Sequence, residues 1–211
     1  MEITWHGMSC FRLKERNLPA IVTDPYNGDL GLPPLKLRGE VVTISHDAPG
    51  HNYPAAVGGY QYALTGPGEY EIGGVFITGI ATAHEARSTQ NVLFLFDFDG
   101  ITVAHLGDMS QVPSQTEIEA LELVNVLLVP VGGGNSLNAA QAAELVSMLE
   151  PNIVIPMHYR LPELKLPLDG VERFLNEMGV TEAKEESTLR VSGGTFGEET
   201  EVVLLQPRFG A

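Results

Sequence analysis

The chain has 211 residues, of which 44% are hydrophobic and 18% are charged, proportions typical of a globular protein with a sizeable core. Its formal net charge of −15 at pH 7 disfavours binding to phosphate backbones and to anionic membranes. The single cysteine, Cys10, excludes an intramolecular disulfide framework and a cysteine-based zinc cluster.

Targeting signals are absent from the sequence pattern. The segment MEITWHG has no basic region followed by an apolar run, and no apolar stretch approaches the ~20 residues that span a bilayer. We therefore expect a cytoplasmic protein. Its acidic charge favours a small-molecule substrate over a nucleic-acid or membrane partner, and the composition is compatible with a homo-oligomer.

The first half of the chain reads as short strands separated by turns. The run EVVTISH, residues 40–46, has apolar residues on both faces, which indicates a buried strand. Several further strands follow between Gly-rich turns. The segment FDFDGITV, residues 96–103, predicts a hairpin with Asp99 and Gly100 at its tip.

The second half mixes strands with helices. SQTEIEALE opens with Ser114 and has Glu117 three residues later, which is a capping-box pattern. NSLNAAQAAELVSMLE predicts a helix with Asn135 or Ser136 as its N-cap, and DGVERFLNEMG predicts another. VNVLLVPV and NIVIPMHY read as buried strands. Two mixed sheets packed together, with helices outside, would cover these apolar strands on both faces.

Potential metal ligands stand where predicted strands end. His46, His84, Asp108 and His158 each end a strand, and His51 follows His46 in the loop. A single histidine at a strand end is more often a polar edge residue than a ligand. The joint pattern, however, indicates convergence at one edge of the fold, with ligand types suited to zinc, manganese or iron.

The two remaining histidines have weaker claims. His105 lies inside its strand, three residues before Asp108, and is expected to be a core residue. His6 is expected to be structural or to lie at the rim of a site. The segment VGGGNS, residues 131–136, leads from a strand into a helix and predicts a conformationally special turn in preference to an anion site.

At this point the residues resemble a known family. The segments ITWHGMSCFRL, VTDPY, TISHDAPGHN, ATAH, HLGDMS, VLLVPVGGG and IPMHY follow one another in its order. The chain resembles the metallo-β-lactamase superfamily, in particular the small single-domain predicted zinc-dependent hydrolases similar to the ascorbate-phosphate lactonases. The likeness implies one α+β domain over residues 1–211, a four-layer αββα sandwich with its site at one edge.

The resemblance also implies a ligand set. TISHDAPGHN aligns with the signature Thr/Ser-His-x-His-x-Asp-His. One ion would be held by His46, the second signature histidine and His84. The other would be held by the signature aspartate, His51 and His158. Asp108 would bridge the two ions, and Asp108 and His158 would be the catalytic residues. The implied cofactor is zinc or manganese, as one or two ions.

The signature is incomplete in this chain. Ala48 stands where the family has its second histidine, and Gly50 stands where it has the aspartate. Met8 occupies a position where this branch often has histidine. Asp47 and Glu85 are the nearby carboxylates that could compensate, although Asp47 falls on a spacer position. Each ion has therefore lost one protein ligand, and occupancy by one ion or by none follows as an alternative.

Three functions compete at this point. The first is a metal-dependent hydrolase acting on a small anionic ester, lactone or phosphoester, with a metal-activated water as nucleophile. The second is a catalytically inactive member with a binding or scaffold role, which Ala48 and Gly50 favour. The third is a nuclease, which the net charge of −15 disfavours.

Overall fold

The computed structural model describes residues 1–82, 90–114, 117, 118, 121, 123–193, 196, 197 and 199–210. None of the helices in these ranges is long and apolar enough to cross a membrane. The strands are β1 Glu2–Trp5, β2 Phe11–Lys14, β3 Ile21–Thr23, β4 Leu37–Arg38, β5 Val41–Thr43, β6 Val57–Gly58, β7 Tyr62–Leu64, β8 Gly68–Ile72, β9 Val75–Thr82, β10 Asn91–Asp97, β11 Thr102–His105, β12 Val126–Pro130, β13 Ile153–Met157, β14 Lys184–Glu186, β15 Leu189–Arg190 and β16 Glu201–Leu205.

The strands form two large sheets. The first has the order β15-β1-β2-β3-β5-β7, and the second has the order β14-β16-β13-β12-β11-β10-β9-β8. The short strands β4 and β6 pair separately. Antiparallel and parallel pairs occur in both large sheets. The parallel runs matter for function, because the carboxyl ends of neighbouring parallel strands reach the same edge of a sheet.

Three apolar strands lie in the middle of the second sheet. Strands β11, β12 and β13 run parallel to one another, and every residue of β12 and β13 is buried. This burial explains their continuous apolar sequences, since a strand covered on both faces has no solvent-facing positions. Strand β10 leads antiparallel into β11 through the predicted hairpin, with positive φ at Asp99 and Gly100.

The core lies between the two sheets. The ring of Phe11 on β2 meets the imidazole of His105 on β11 edge to face, with ring centroids 6.2 Å apart. Trp5 on β1 lies 5.2 Å from Tyr159, just beyond β13. The predicted packing of two mixed sheets is therefore confirmed, and with its separate helices the chain belongs to the α+β class.

Two α-helices are complete within the described ranges, α1 Ala139–Leu149 and α2 Val171–Glu177, and they pack against each other. Short 3-10 turns span Gly28–Leu30 and Pro54–Ala56. The predicted N-cap of α1 was wrong. Asn138, and neither Asn135 nor Ser136, caps the helix, because its side chain accepts the amide of Gln141 while the Gln141 side chain returns a bond to the backbone amide of Asn138.

The capping box predicted at Ser114 is present. The backbone amide and the hydroxyl of Ser114 both donate to the carboxylate of Glu117 at 2.8 Å, and the Glu117 amide donates back to the hydroxyl at 3.4 Å. These bonds hold the pKa of Glu117 below its usual value. Most of the helix predicted beyond this box lies outside the described residues.

Candidate metal centre

Four predicted ligands meet at one edge of the sandwich. His46 follows β5 in the first sheet, while Asp108 follows β11 and His158 follows β13 in the second. His51 returns to the same place at the end of the loop after His46. The His46 and His51 rings lie 4.3 Å apart, and the His51 and His158 rings lie 5.3 Å apart. All four residues are buried.

Asp108 lies between two histidines. Its Oδ2 is 3.7 Å from Nε2 of His46, and its Oδ1 is 3.7 Å from Nε2 of His158. These distances exceed a hydrogen bond. Two ligand atoms each about 2.1 Å from a tetrahedral zinc ion lie about 3.4 Å apart, so the spacing matches side chains arranged around an ion. His46, His51 and Asp108 each offer a ligand atom within 4.8 Å of the others.

The His51 ring is oriented by a buried carboxylate. Its Nδ1 lies 2.9 Å from Oδ2 of Asp24, which follows β3 and is fully buried. Ser45 adds two bonds to Asp24, from its amide at 2.7 Å and from its hydroxyl at 2.6 Å. Burial opposes the charged form of Asp24, but the hydrogen bonds from His51 and Ser45 lower the pKa of this carboxyl overall. Nδ1 of His51 therefore donates to Asp24, and Nε2 keeps its lone pair.

The other two rings are held in the same tautomer. The Ser45 hydroxyl donates to Asp24, so it accepts from Nδ1 of His46 at 3.0 Å. The Ser136 hydroxyl donates to the carbonyl of Gly133 at 2.9 Å and lies 3.3 Å from Nδ1 of His158, from which it accepts. Each Nε2 thus carries its lone pair, as a metal ligand requires. The donor set of three such imidazoles and one carboxylate fits zinc or manganese.

Backbone geometry brings His158 into place. This residue has a φ of 52°, and its amide donates to the carbonyl of Met8 at 3.2 Å. Its own carbonyl accepts the amide of Gly132 at 3.1 Å. A Cβ at Gly132 would stand 2.2 Å from that carbonyl oxygen, so this close approach requires glycine.

The loop carrying Asp108 is clamped from β10. The Asn91 side chain accepts the amide of Asp108 at 2.9 Å and donates to Thr82 at 2.9 Å and to the carbonyl of Leu106 at 3.0 Å. Gly107 has a φ of 61°, and a Cβ there would stand 2.4 Å from Oδ1 of Asn91. One buried asparagine thus ties together the ends of β9, β10 and β11 beside the centre.

His105 and His6 lie outside the ligand group, as their sequence positions predicted. Nε2 of His105 donates to the carbonyl of Ser9 at 2.8 Å, while its Nδ1 accepts the amide of Gly107 at 3.3 Å. Nδ1 of His6 bonds the carbonyl of Arg208 at 2.7 Å. Burial is the main cause that lowers the pKa of both imidazoles.

Three further positions were considered as ligands in the sequence, namely His84, Glu85 and Asp47. His84, the predicted ligand after β9, and its neighbour Glu85 lie outside the described residues. The compensating role considered for Asp47 has no support in the geometry, because its side chain is exposed and accepts a hydrogen bond from Asn52 at 2.8 Å. The carboxylates that reach the centre within the described ranges are Asp108 and, behind His51, Asp24.

Gly50, one of the two positions that depart from the signature, has apolar neighbours. Gly50 is buried, and a Cβ built on it would lie 3.5 Å from Cδ1 of Leu30 and 3.8 Å from Cε of Met8. These are ordinary contacts, so a side chain fits at position 50. Met8 and Leu30 are themselves buried, and the wall beside Gly50 is therefore made of a thioether methyl and an aliphatic side chain.

The glycine loop after β12 is a structural turn. The amides of Gly132, Gly133 and Ser136 donate to the carbonyls of His158, Leu137 and Gly133, respectively. These donors are used within the protein and are not directed at an anion. The expectation of a conformationally special turn is met by the positive φ of Gly133 and Gly134.

Four residues that hydrogen-bond to the candidate ligands were not identified from the sequence. They are Asp24, Ser45, Asn91 and Ser136. Only Asp24 carried a signal, because an Asp-Pro turn follows the β-branched strand β3. Strands β3 and β5 are parallel neighbours, with Thr23 opposite Thr43. The residues that follow these two strands, Asp24 on one and Ser45 on the other, therefore lie side by side.

Known proteins share this arrangement of the chain. Residues 2–158 match the family described as "Beta-lactamase superfamily domain". A UPF0173 protein of Pyrococcus furiosus is 28% identical over 182 residues, which cover 75% of this chain and 83% of the relative. A UPF0173 metal-dependent hydrolase of Thermoplasma acidophilum is 23% identical over 194 residues, covering 78% and 85%.

A solved structure agrees over nearly the whole length. The crystal structure from Thermotoga maritima assigned to the Zn-dependent hydrolases of the metallo-β-lactamase superfamily is 32% identical, covers 97% of each chain and superposes with a TM-score of 0.80. The matched range 2–158 includes each of the four described ligand candidates and ends at His158. The αββα sandwich is thereby confirmed, and the chain belongs to the metallo-β-lactamase superfamily.

Proposed function

We propose that this protein is a metal-dependent hydrolase acting on a small anionic ester, lactone or phosphoester. The observation that carries the proposal is the set of three imidazoles, His46, His51 and His158, each held at Nδ1 by a buried side chain and grouped about Asp108. The similarity to a metal-dependent hydrolase of Thermoplasma acidophilum and to a Zn-dependent hydrolase of Thermotoga maritima supports the same proposal. His84 completes the proposed ligand set.

A bound zinc or manganese ion supplies an activated water and polarises the carbonyl or phosphoryl group under attack. Asp108 would contribute the negative charge that holds the cation, and Asp108 and His158 would lie beside the reacting atoms. Ser45, Asp24 and Ser136 fix the rings, so little reorganisation is needed when charge develops. We propose Asp108 and His158 as the catalytic residues.

The proposed substrate is small and carries negative charge. The chain itself has a net charge of −15, which repels polyanions at long range, and a cation at the edge of the sandwich would supply local attraction for a single carboxylate or phosphate group. For the same reason we propose that the protein has no nucleic-acid or membrane partner. We also propose that it is cytoplasmic and forms a single domain that can assemble as a homo-oligomer.

The test combines metal content with hydrolysis. Protein purified without chelator is subjected to elemental analysis and then assayed on a chromogenic ester, a lactone and a phosphodiester. We expect bound zinc or manganese, together with a hydrolytic rate that chelator removes and metal restores. Asp108→Asn, which keeps the shape of the side chain, should lose both. The absence of metal and of metal-dependent activity would overturn the proposal.

A second candidate is a catalytically inactive binding or scaffold protein. Ala48 and Gly50, which replace two signature ligands, favour it. The double substitution Ala48→His with Gly50→Asp separates the two. If metal uptake and hydrolysis arise only in this variant, the unmodified chain is not a hydrolase of the family type. Activity in the unmodified chain excludes the scaffold role as its sole function.

A further inference from the structure

We propose that the centre of this chain holds one divalent cation, because position 50, where a second cation would need its carboxylate ligand, has no side chain and is lined by the apolar groups of Met8 and Leu30. This inference rests on the proposed function and refines it. It concerns the number of ions, which the proposed hydrolysis leaves open, because one activated water is available from either one or two ions.

The surroundings of position 50 are apolar and lack a metal ligand from Met8 or Leu30. A Cβ at Gly50 would lie in van der Waals contact with Leu30 and Met8, and both side chains are buried. A carboxylate side chain at position 50 would therefore lie beside the aliphatic side chain of Leu30 and the thioether of Met8. In this chain the position has no side chain, and its surroundings offer no oxygen or nitrogen ligand from Met8 or Leu30. Hard divalent cations prefer such donors to a thioether.

The buried carboxylates at the centre limit how much cation charge can be offset there. Among the described residues, the buried carboxylates at the centre are Asp108, which faces His46 and His158, and Asp24, which bonds His51. Together they carry a charge of −2, which offsets one divalent cation. Against these two described carboxylates, a second divalent cation would add +2 of charge without a further carboxylate from the described part of the chain, and uncompensated buried charge is costly. A carboxylate at position 50 would offset part of that excess.

The main chain of Met8 is held in place by two hydrogen bonds to its carbonyl. Its φ is 50°, and its carbonyl accepts both Nε1 of Trp5 at 2.9 Å and the amide of His158 at 3.2 Å. These bonds fix the main chain of Met8 against the catalytic edge. Its side chain lines position 50, with Cε 3.8 Å from a Cβ built there.

The test is a count of ions. The full chain, stripped with chelator, is dialysed against ZnCl₂ or MnCl₂, and metal is measured per mole of protein. Asp108→Asn corrects for ions on the acidic surface. We expect the unmodified chain to bind one ion more per chain than Asp108→Asn does. Two ions would overturn the inference and leave the proposed function standing, whereas no ion would overturn both.

A matched pair of variants tests the role of position 50. Ala48→His with Gly50→Asp should raise the count from one ion to two, because it restores a carboxylate and an imidazole. Ala48→His with Gly50→Asn has the same shape but lacks the charge, and its count should stay at one. A count of two in both variants, or of one in both, would overturn the assignment of Gly50 as the missing position.

The wall beside Gly50 is tested separately. In the Ala48→His, Gly50→Asp background, Met8→Ala should tighten binding of the second ion by about tenfold, because it removes apolar cover from the new carboxylate. The first ion should bind with unchanged affinity. Isothermal titration of both sites provides the readout, and weaker or unchanged binding of the second ion would contradict the role given to Met8.

Discussion

The carboxylate of Asp24 accepts a hydrogen bond from Nδ1 of His51 at 2.9 Å, although 27 positions separate the two residues in the chain. The bond fixes the tautomer of the imidazole and increases the basicity of its Nε2. Asp24 is fully buried and accepts two further bonds from Ser45. The strength of metal binding should consequently depend on a residue that does not itself reach the ion.

Asp24→Asn should weaken zinc binding by about 10- to 100-fold, because the neutral amide no longer stabilises the ring in its ligand tautomer. Competition with a chromophoric chelator provides the measurement. Asp47→Asn is the matched control, since it makes the same chemical change at an exposed carboxylate next to His46. Equal losses in the two variants would contradict a specific role for Asp24.

Gly107→Ala should destabilise the fold and disturb Asp108. The φ of 61° costs an alanine about 1 kcal/mol, and overlap with Asn91 and Ser45 adds about 1–3 kcal/mol. Gly100→Ala has the same backbone strain, with a φ of 85°, but open space around its Cβ. Urea denaturation should therefore show the smaller loss in Gly100→Ala. Similar losses would mean that close packing at Gly107 adds nothing.

Asn91→Ala should cost about 2–4 kcal/mol of unfolding free energy, since it leaves the buried amide of Asp108 and the carbonyl of Leu106 without their partner. Metal affinity should fall as well, because Asp108 loses its clamp. Asn52→Ala removes a half-buried asparagine whose side chain donates to the exposed carboxylate of Asp47 at 2.8 Å, and should change neither quantity. Thermal unfolding and metal titration of the two variants provide the comparison.

Stability of the metal-free chain should decline in mild acid. Burial lowers the pKa of His105 below its ordinary value of 6.5, so the unfolded chain takes up the proton first as the pH falls. The contribution is complete above pH 6.5 and is lost below it, at up to about 1.4 kcal/mol per pH unit. His6 acts in the same direction.

Urea denaturation in chelator at several pH values between about 7.5 and 5 measures this slope. His105→Gln should be less stable at neutral pH, because the bonds to Ser9 and Gly107 are disturbed, but its stability should vary less with pH. A slope identical to that of the unmodified chain would show that His105 does not titrate in this range.

The sequence indicated which potential ligands lie close together where each of them follows a predicted strand. His46, Asp108 and His158 were proposed as ligands because each follows an apolar strand, and the two sheets bring those strand ends to one edge. His105, which was expected to be a core residue because it lies within a strand, is buried and bonds the backbone of Ser9 and Gly107. The family and the sandwich followed from the ordered motifs. The finer ligand roles, and the part played by His84, stay predictions.

What sequence could not supply depends on contacts between distant segments. Ser136 resembled an N-cap by its position before α1, yet its hydroxyl is engaged with Gly133 and His158, so the helix begins later. Asn91 showed no pattern at all, because its importance arises from three segments that meet only after folding. The environment of Gly50 likewise depends on Met8, which comes from the first loop of the chain.

The bond between the carbonyl of Met8 and the amide of His158 also bears on when the protein acquires its ion. The centre joins the first loop to the end of β13, so no shorter N-terminal stretch of the chain contains the full set of ligands. A nascent chain emerging from the ribosome would have to extend beyond position 158 before the site could close. If the proposed centre binds an ion, its capture should follow synthesis of the segment that ends β13, and the bound ion should stabilise the folded sandwich over the unfolded chain.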